Sequence, residues 1–267
     1  MKLKKFIGMF KRKRAIVVFF VIIIAVSLGY LRSFYQVPVL MYHSINSKSD
    51  PVLYRLIVKP ESFARQMQFL KAHHYNVISL EELANLMREK KKIPRKTVVI
   101  TFDDGFKDNY TYAYPVLKKL GLPATIFVIY DEVGRPQGDR LSWDEITEMH
   151  NSGLITIGSH TLGSVPLLNI KSEAELRRQI IDSRKMFEEK LKIPVNTFCY
   201  VGGMFTSQIR DLVKEAGYKC AVSIGLGKRY SNHDVYVIKR IRISSASDNL
   251  LDFWIRISGY YNSFREH

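Results

Sequence analysis

Residues Thr97–Gly105 read TVVITFDDG, an apolar run suited to a buried strand that ends in Asp103, Asp104 and a glycine. Two carboxylates side by side repel each other unless a cation or a proton sits between them. A divalent metal removes that cost. One carboxylate can then bind the ion while the other takes a proton from a bound water. The competing reading is an Asx-type turn capping the helical pattern that follows, since Asp is also a good N-cap. Ile155–Leu168 reads ITIGSHTLGSVPLL, a second strand ending in a polar group, His160. With the aspartates, His160 supplies two of the three protein ligands that a catalytic zinc-type centre needs.

The elements that must position these groups follow from apolar periodicity. Strands are predicted at Val37–Tyr42, Asn76–Ser79, Thr97–Phe102, Ala124–Ile129, Ile155–Ser159, Thr197–Tyr200, Cys220–Ile224 and Val235–Ile243. Helical patterns lie between them at Pro60–His73, Leu80–Lys90, Lys107–Leu120, Ser142–Asn151, Ser172–Leu191 and Thr206–Ala216. Strands separated by single helices imply right-handed crossovers and a parallel sheet. Seven or eight such units suit an α/β barrel better than an open sheet. In a parallel barrel the chemistry belongs at the C-terminal strand ends. The polar groups there are His43, Asp103–Asp104, His160 and the Tyr200–Gly203 loop.

Charge is concentrated at one end. The net charge is +16, but seven basic residues and no acid fall within the first fourteen, leaving +9 for the other 253 residues. No Gly-rich phosphate loop or aromatic-interleaved basic patch is present, so a nucleic-acid partner is not expected. After the basic tail (1–14), Ala15–Leu31 is free of charge and has no polar face. A helix of that length covers about 25 Å, enough to span a membrane with snorkelling flanks. An uncleaved anchor is favoured over a cleaved signal peptide, because no small-x-small site precedes Arg32. The positive-inside rule then keeps the tail cytoplasmic and places the rest outside, with 32–36 as linker and 37–267 as one domain. Cys199 and Cys220 are the only cysteines, open to a disulfide or, more simply, to two small buried residues.

TFDDG followed by GSHT resembles the polysaccharide deacetylase family, the NodB-homology domain of carbohydrate esterase family 4. The VPVLMYHSI, LSWDEI, FCYVGG and VIKRIRIS segments are similar to its membrane-exported branch acting on exopolysaccharide, and the core motifs run over 97–245. The resemblance implies a deformed (β/α)7-type barrel with parallel strands. It implies removal of N-acetyl groups from amino sugars of a cell-envelope or extracellular polysaccharide, with a divalent, zinc-type metal. By position, Asp104 and His160 would bind the metal and Asp103 would act as general base. His43 would protonate the leaving amine, and Arg240 would keep Asp103 ionised, with Arg242 as a rival. A backbone amide near Tyr200 would hold the oxyanion. Trp143 would line the sugar groove or, alternatively, belong to the core.

The family writes its metal motif His-Ser/Thr-x-x-His, whereas this chain reads His160-Thr161-Leu162-Gly163-Ser164. A neutral hydroxyl at Ser164 is a poor ligand for a zinc-type ion. Among the other histidines only His43 and His233 could approach the site. Two functions are therefore expected to compete: a metal-dependent deacetylase, and a catalytically silent relative that binds glycan or a biosynthetic partner.

Overall fold

The computed structural model describes residues 14, 17–27, 29, 30, 32, 34–47, 54–135, 140–224 and 234–262. In chain order its elements are β1 (Val39–Tyr42), β2 (Ser44–Ile45), β3 (Ile57–Val58), α1 (Pro60–Ala72), β4 (Asn76–Val77), α2 (Leu80–Arg88) and β5 (Thr97–Phe102). Then come α3 (Tyr114–Leu120), β6 (Ala124–Val128), α4 (Trp143–Asn151), β7 (Ile155–Ser159), α5 (Glu173–Arg177) and α6 (Ser183–Leu191). The chain closes with β8 (Thr197–Cys199), α7 (Ser207–Glu215), β9 (Cys220–Ile224), β10 (Ile238–Arg242) and α8 (Leu250–Arg256).

All six residues of β5 are buried and five of them are β-branched, the composition of a strand covered on both faces. β1 pairs in parallel with β5 on one side (Val39↔Val99, Met41↔Thr101) and with β10 on the other (Leu40↔Ile241). That double pairing closes β1, β5, β6, β7, β8, β9 and β10 into a seven-stranded parallel barrel. β4 is an extra strand on the first two residues of β5. β2 and β3 form a separate two-residue ladder.

Strand residues alternate between two apolar clusters, as a period of two requires. Leu40, Tyr42, Val98, Ile100, Phe102 and Phe198 pack outward in the main core with Phe63, Phe187 and other helix residues. Val39, Val99, Phe127, Cys199, Cys220 and Val222 fill the barrel, joined by Leu80, Leu83 and Ala84 of α2. Gly158 serves this filling, because a Cβ there would stand within 2.6 Å of the Phe127 ring.

Several helix starts carry side-chain caps. Ser142 and Glu145 form a reciprocal capping box on α4, and Ser79, Ser172 and Thr206 cap α2, α5 and α7. Two long helical patterns are less regular than expected. Wider π-type turns interrupt them at Asn109–Ala113 and Arg178–Asp182.

Of the expected membrane helix, residues 17–27, 29 and 30 are described, helical and exposed, while 15, 16, 28 and 31 lie outside the described residues. Among the described residues no helix is long and apolar enough to cross a membrane.

Candidate active site

The inward row of each strand ends at the C-terminal rim of the barrel, where it surrounds a cavity of about 390 Å³. His43, Asp103, Asp104, His160, Ser164, Tyr200, Arg240 and Arg242 all line it. Two larger surface hollows, each of about 610 Å³, lie on the flank of α3 and α4 and beside Lys107. Neither collects inward strand-end groups.

Asp103 continues the β5 ladder, its amide donating to the Tyr42 carbonyl at 2.9 Å. Its carboxylate is buried and gripped in bidentate fashion by Arg240, with Nη1 2.6 Å from Oδ1 and Nη2 2.7 Å from Oδ2. Burial alone would raise the Asp103 pKa. The guanidinium overrides that and holds it well below the usual carboxylate range. Arg240 also donates to Thr101 Oγ1 at 3.2 Å. Arg242, the rival, is exposed and does not hold Asp103.

Asp104 reaches the same cavity by a different route. Its φ of 68° and that of Gly105, 63°, are both left-handed. Two such residues in a row turn the chain sharply off the strand and bring the second carboxylate round to the rim. Asp tolerates this conformation better than most side chains, and Gly accepts it freely. His160, at the end of β7, is followed by Thr161 at φ 70°, an uncommon conformation for a β-branched residue. The Thr161 hydroxyl donates to the Gly163 carbonyl at 2.6 Å, and its amide donates to Ser159 Oγ at 3.2 Å.

The His160 ring is fixed by its Nδ1–H, which donates to the Cys199 carbonyl at 2.9 Å. That leaves Nε2 facing Asp104 Oδ1 at 3.5 Å. Burial would lower the His160 pKa, but the Cys199 sulfur and the Asp104 carboxylate outweigh it and hold the ring well above the ordinary histidine value. For Asp104, burial pushes upward and the His160 bond wins, leaving it lowered. His43 Nε2 stands 3.8 Å from Asp103 Oδ2, and its buried Nδ1 has no hydrogen-bond partner among the described residues. Burial lowers the His43 pKa against the pull of both aspartates.

A ring nitrogen oriented through its partner nitrogen, beside a carboxylate, is the donor pair that divalent zinc-type ions take. The residues present fit such an ion, with Asp104 and His160 as its holders. Ser164 lines the cavity but is exposed.

Three open readings narrow. The Tyr200 amide is not available to an oxyanion, because it donates to the Val222 carbonyl at 3.2 Å within the sheet. Its side chain packs outward on Phe205, and its hydroxyl donates to the Tyr236 carbonyl. The amides of Val201 and Gly202, which open the next turn and line the cavity, take its place as candidates. Trp143 does not line the cavity. Its ring is packed 5.1 Å from Tyr130 and 6.0 Å from Phe187. Cys199 and Cys220 are free, because parallel pairing sets Cys199 opposite Val222 and Cys220 opposite Thr197. His233 lies outside the described residues.

Cys199 is the site residue that motif reading missed. Its sulfur is 3.8 Å from both Asp103 oxygens, 4.0 Å from His160 Nε2 and 3.0 Å from Arg240 Nη2. The period-two rule could have found it. Tyr200 packs outward, so its predecessor is the last inward residue of β8.

A seven-stranded parallel barrel with a carboxylate–histidine cluster at its C-terminal rim defines the class: an α/β barrel with its candidate site where such barrels carry their chemistry. Residues 90–221 match the polysaccharide deacetylase family model. The Bacillus subtilis (strain 168) protein YxkH is 32% identical over 209 residues, 78% of this chain and 72% of that one. The poly-β-1,6-N-acetyl-D-glucosamine N-deacetylase of Staphylococcus aureus is 31% identical over 208 residues, 74% of this chain and 71% of the relative. Among solved structures, the Streptococcus pyogenes deacetylase PplD in complex with acetate superposes with a TM-score of 0.72 at 27% identity, covering 81% of this chain and 97% of PplD. The chain belongs to the polysaccharide deacetylase family.

Proposed function

We propose that this chain is a divalent-metal-dependent N-deacetylase of an N-acetylated amino-sugar polymer, held at the outer face of a cell membrane by Ala15–Leu31. The observation that carries the reading is the juxtaposition of His160 Nε2 and Asp104 Oδ1, 3.5 Å apart, with the Arg240-clamped Asp103 behind them. The name of the Staphylococcus aureus relative makes poly-β-1,6-N-acetyl-D-glucosamine the first polymer to test. The acetate held by PplD is the small product that such a reaction releases.

An ion at Asp104 and His160 would polarise the acetamide carbonyl and acidify water, the Lewis-acid chemistry of zinc-type hydrolases. The chain supplies the remaining roles. Asp103 accepts the proton of the attacking water, and Arg240 keeps it ionised and pointed into the cavity. The amides of Val201 and Gly202 receive the negative charge that builds on the carbonyl oxygen. His43, whose Nε2 stands 3.8 Å from Asp103 Oδ2, takes up that proton and passes it to the departing amine as the carbon–nitrogen bond breaks. Acetate and a free amino sugar result.

The exposed serine at position 164 favours one alternative, a chain that has kept the groove for binding and lost turnover. Acetate release from the polymer, measured with bound-metal analysis, separates the two. The enzyme is expected to release acetate when divalent ion is added and to stop on chelation. Polymer binding without acetate release under any divalent ion would establish the silent reading instead.

A further inference from the structure

We propose that Cys199 is a metal ligand in this protein, its thiolate completing the centre that Ser164 leaves short of an imidazole. The inference rests on the metal-dependent reading above. Among the described residues, one group of three side chains offers His, Cys or acidic donor atoms all within 4.8 Å of one another: Asp103, His160 and Cys199, each buried.

The placement follows from the sheet. β7 and β8 are neighbours, with Ser159 opposite Phe198, so the next residue on each strand, His160 and Cys199, lies side by side at the rim. Tetrahedral zinc with bonds of about 2.3 Å to sulfur and about 2.1 Å to nitrogen separates those two donors by about 3.6 Å. Here Sγ and Nε2 are 4.0 Å apart, and Sγ is 3.8 Å from either Asp103 oxygen. An ion can enter between Sγ and Nε2 with movements of a few tenths of an ångström, while Asp103, both oxygens held by Arg240, stays the base. Asp104 Oδ1, 3.5 Å from the same nitrogen, is within reach as a further ligand.

Charge favours the assignment. Asp103, Asp104 and a Cys199 thiolate carry three negative charges, which Arg240 and a dication balance. Arg240 Nη2 already stands 3.0 Å from the sulfur, as a charge-assisted donor to a thiolate does. Binding breaks the S–H bond, forms the metal–sulfur bond and releases the proton to solvent. A thiolate is also a far better ligand for this class of ion than a serine hydroxyl.

The test uses the full chain in detergent, stripped with a chelator and reloaded with cobalt(II) or zinc(II). Wild type is expected to show a thiolate-to-cobalt charge-transfer band in the near ultraviolet. Cys199→Ser should lose the band and bind zinc at least tenfold more weakly, while Cys220→Ser keeps both properties. X-ray absorption of the zinc-loaded wild type needs no variant to fold, and should show one sulfur at about 2.3 Å. A shell of only nitrogen and oxygen, or a band that survives Cys199→Ser, would overturn the proposal. Acetate release from a centre without sulfur would sink the thiolate and leave deacetylation standing. Sulfur coordination without acetate release would do the reverse.

Discussion

Asp103 is buried at the barrel rim, and its behaviour is set by one partner, Arg240. Removing its charge leaves Arg240 buried without a counterion, a loss that costs about 3–5 kcal/mol when a buried pair is broken. Asp103→Asn should therefore be less stable to urea at neutral pH by that order, as well as inactive. The pH dependence follows from the lowered folded pKa of Asp103. Such a group contributes stability above its unfolded pKa of about 3.9 and loses it as pH falls through the lower, folded value. The gap between wild type and Asp103→Asn should stay constant from neutral pH down to about pH 4 and close only below it. A gap that closes near pH 6 would mean that a histidine, not this carboxylate, sets the difference. His43 gives a second test at this scale. His43→Ala should lower acetate release by about 10²–10⁴-fold, the usual contribution of a general acid, with metal content unchanged. Equal loss of metal would show that His43 is a ligand.

Strand ends decide whether these residues meet, and here the sequence was legible to a different depth for different elements. Every strand of the barrel was placed within three residues at either end, because Gly and Pro punctuate the chain and the apolar runs are short. β2 and β3, two residues each, carry no period at all. α8 was missed although Asn249 caps it, since Leu251 and Trp254 are exposed and blur its apolar stripe. The π-type turns left no pattern that composition could show. Asp103, Asp104 and His160 were readable because they interrupt apolar strands. Cys199 was not, since a cysteine among Phe198 and Tyr200 looks like packing. Trp143 stayed open between groove and core for a related reason: an aromatic at a helix start can face either, and this one packs with Phe187.

The left-handed turn after β5 gives the element-scale prediction. Gly105→Ala puts a methyl at φ 63°, 3.4 Å from Val128 Cγ1, so the cost is conformational, about 1–2 kcal/mol. Ser142→Ala removes the cap of α4 and costs about 0.5–2 kcal/mol. The two variants should look alike in urea unfolding. They should differ in acetate release measured well below the melting temperature. Gly105→Ala should lose activity, because its turn aims Asp104, while Ser142→Ala should retain it. Equal activities would mean that the turn is not what places the carboxylate.

At the scale of the whole molecule, strand direction fixes which way the cavity looks. All seven barrel strands run in parallel, so their N-terminal ends share one rim and the site occupies the other. The chain leaving residue 34 enters β1 at the N-terminal rim. It is tied there by the Gln36 amide, which donates to the Gly259 carbonyl at 2.8 Å, and by the Tyr35 and Tyr260 rings 5.8 Å apart. A linker of residues 32–36 spans at most about 18 Å when fully extended. With Ala15–Leu31 in a bilayer, the N-terminal rim would therefore lie close to the lipid surface and the cavity would open away from it, toward polymer. Single cysteine labels can check this, since Cys199 and Cys220 are buried. Lys96 is exposed just before β5 at the near rim, and Met204 is exposed just past β8 at the far one. In proteoliposomes carrying a lipid-attached quencher, a fluorophore on Lys96→Cys should be quenched strongly and one on Met204→Cys weakly. Detergent, and not salt, should release either variant from the vesicles, because an apolar helix rather than charge would hold it. Equal quenching at the two positions, or release by salt, would remove the membrane from this account and leave the barrel and its site as they are.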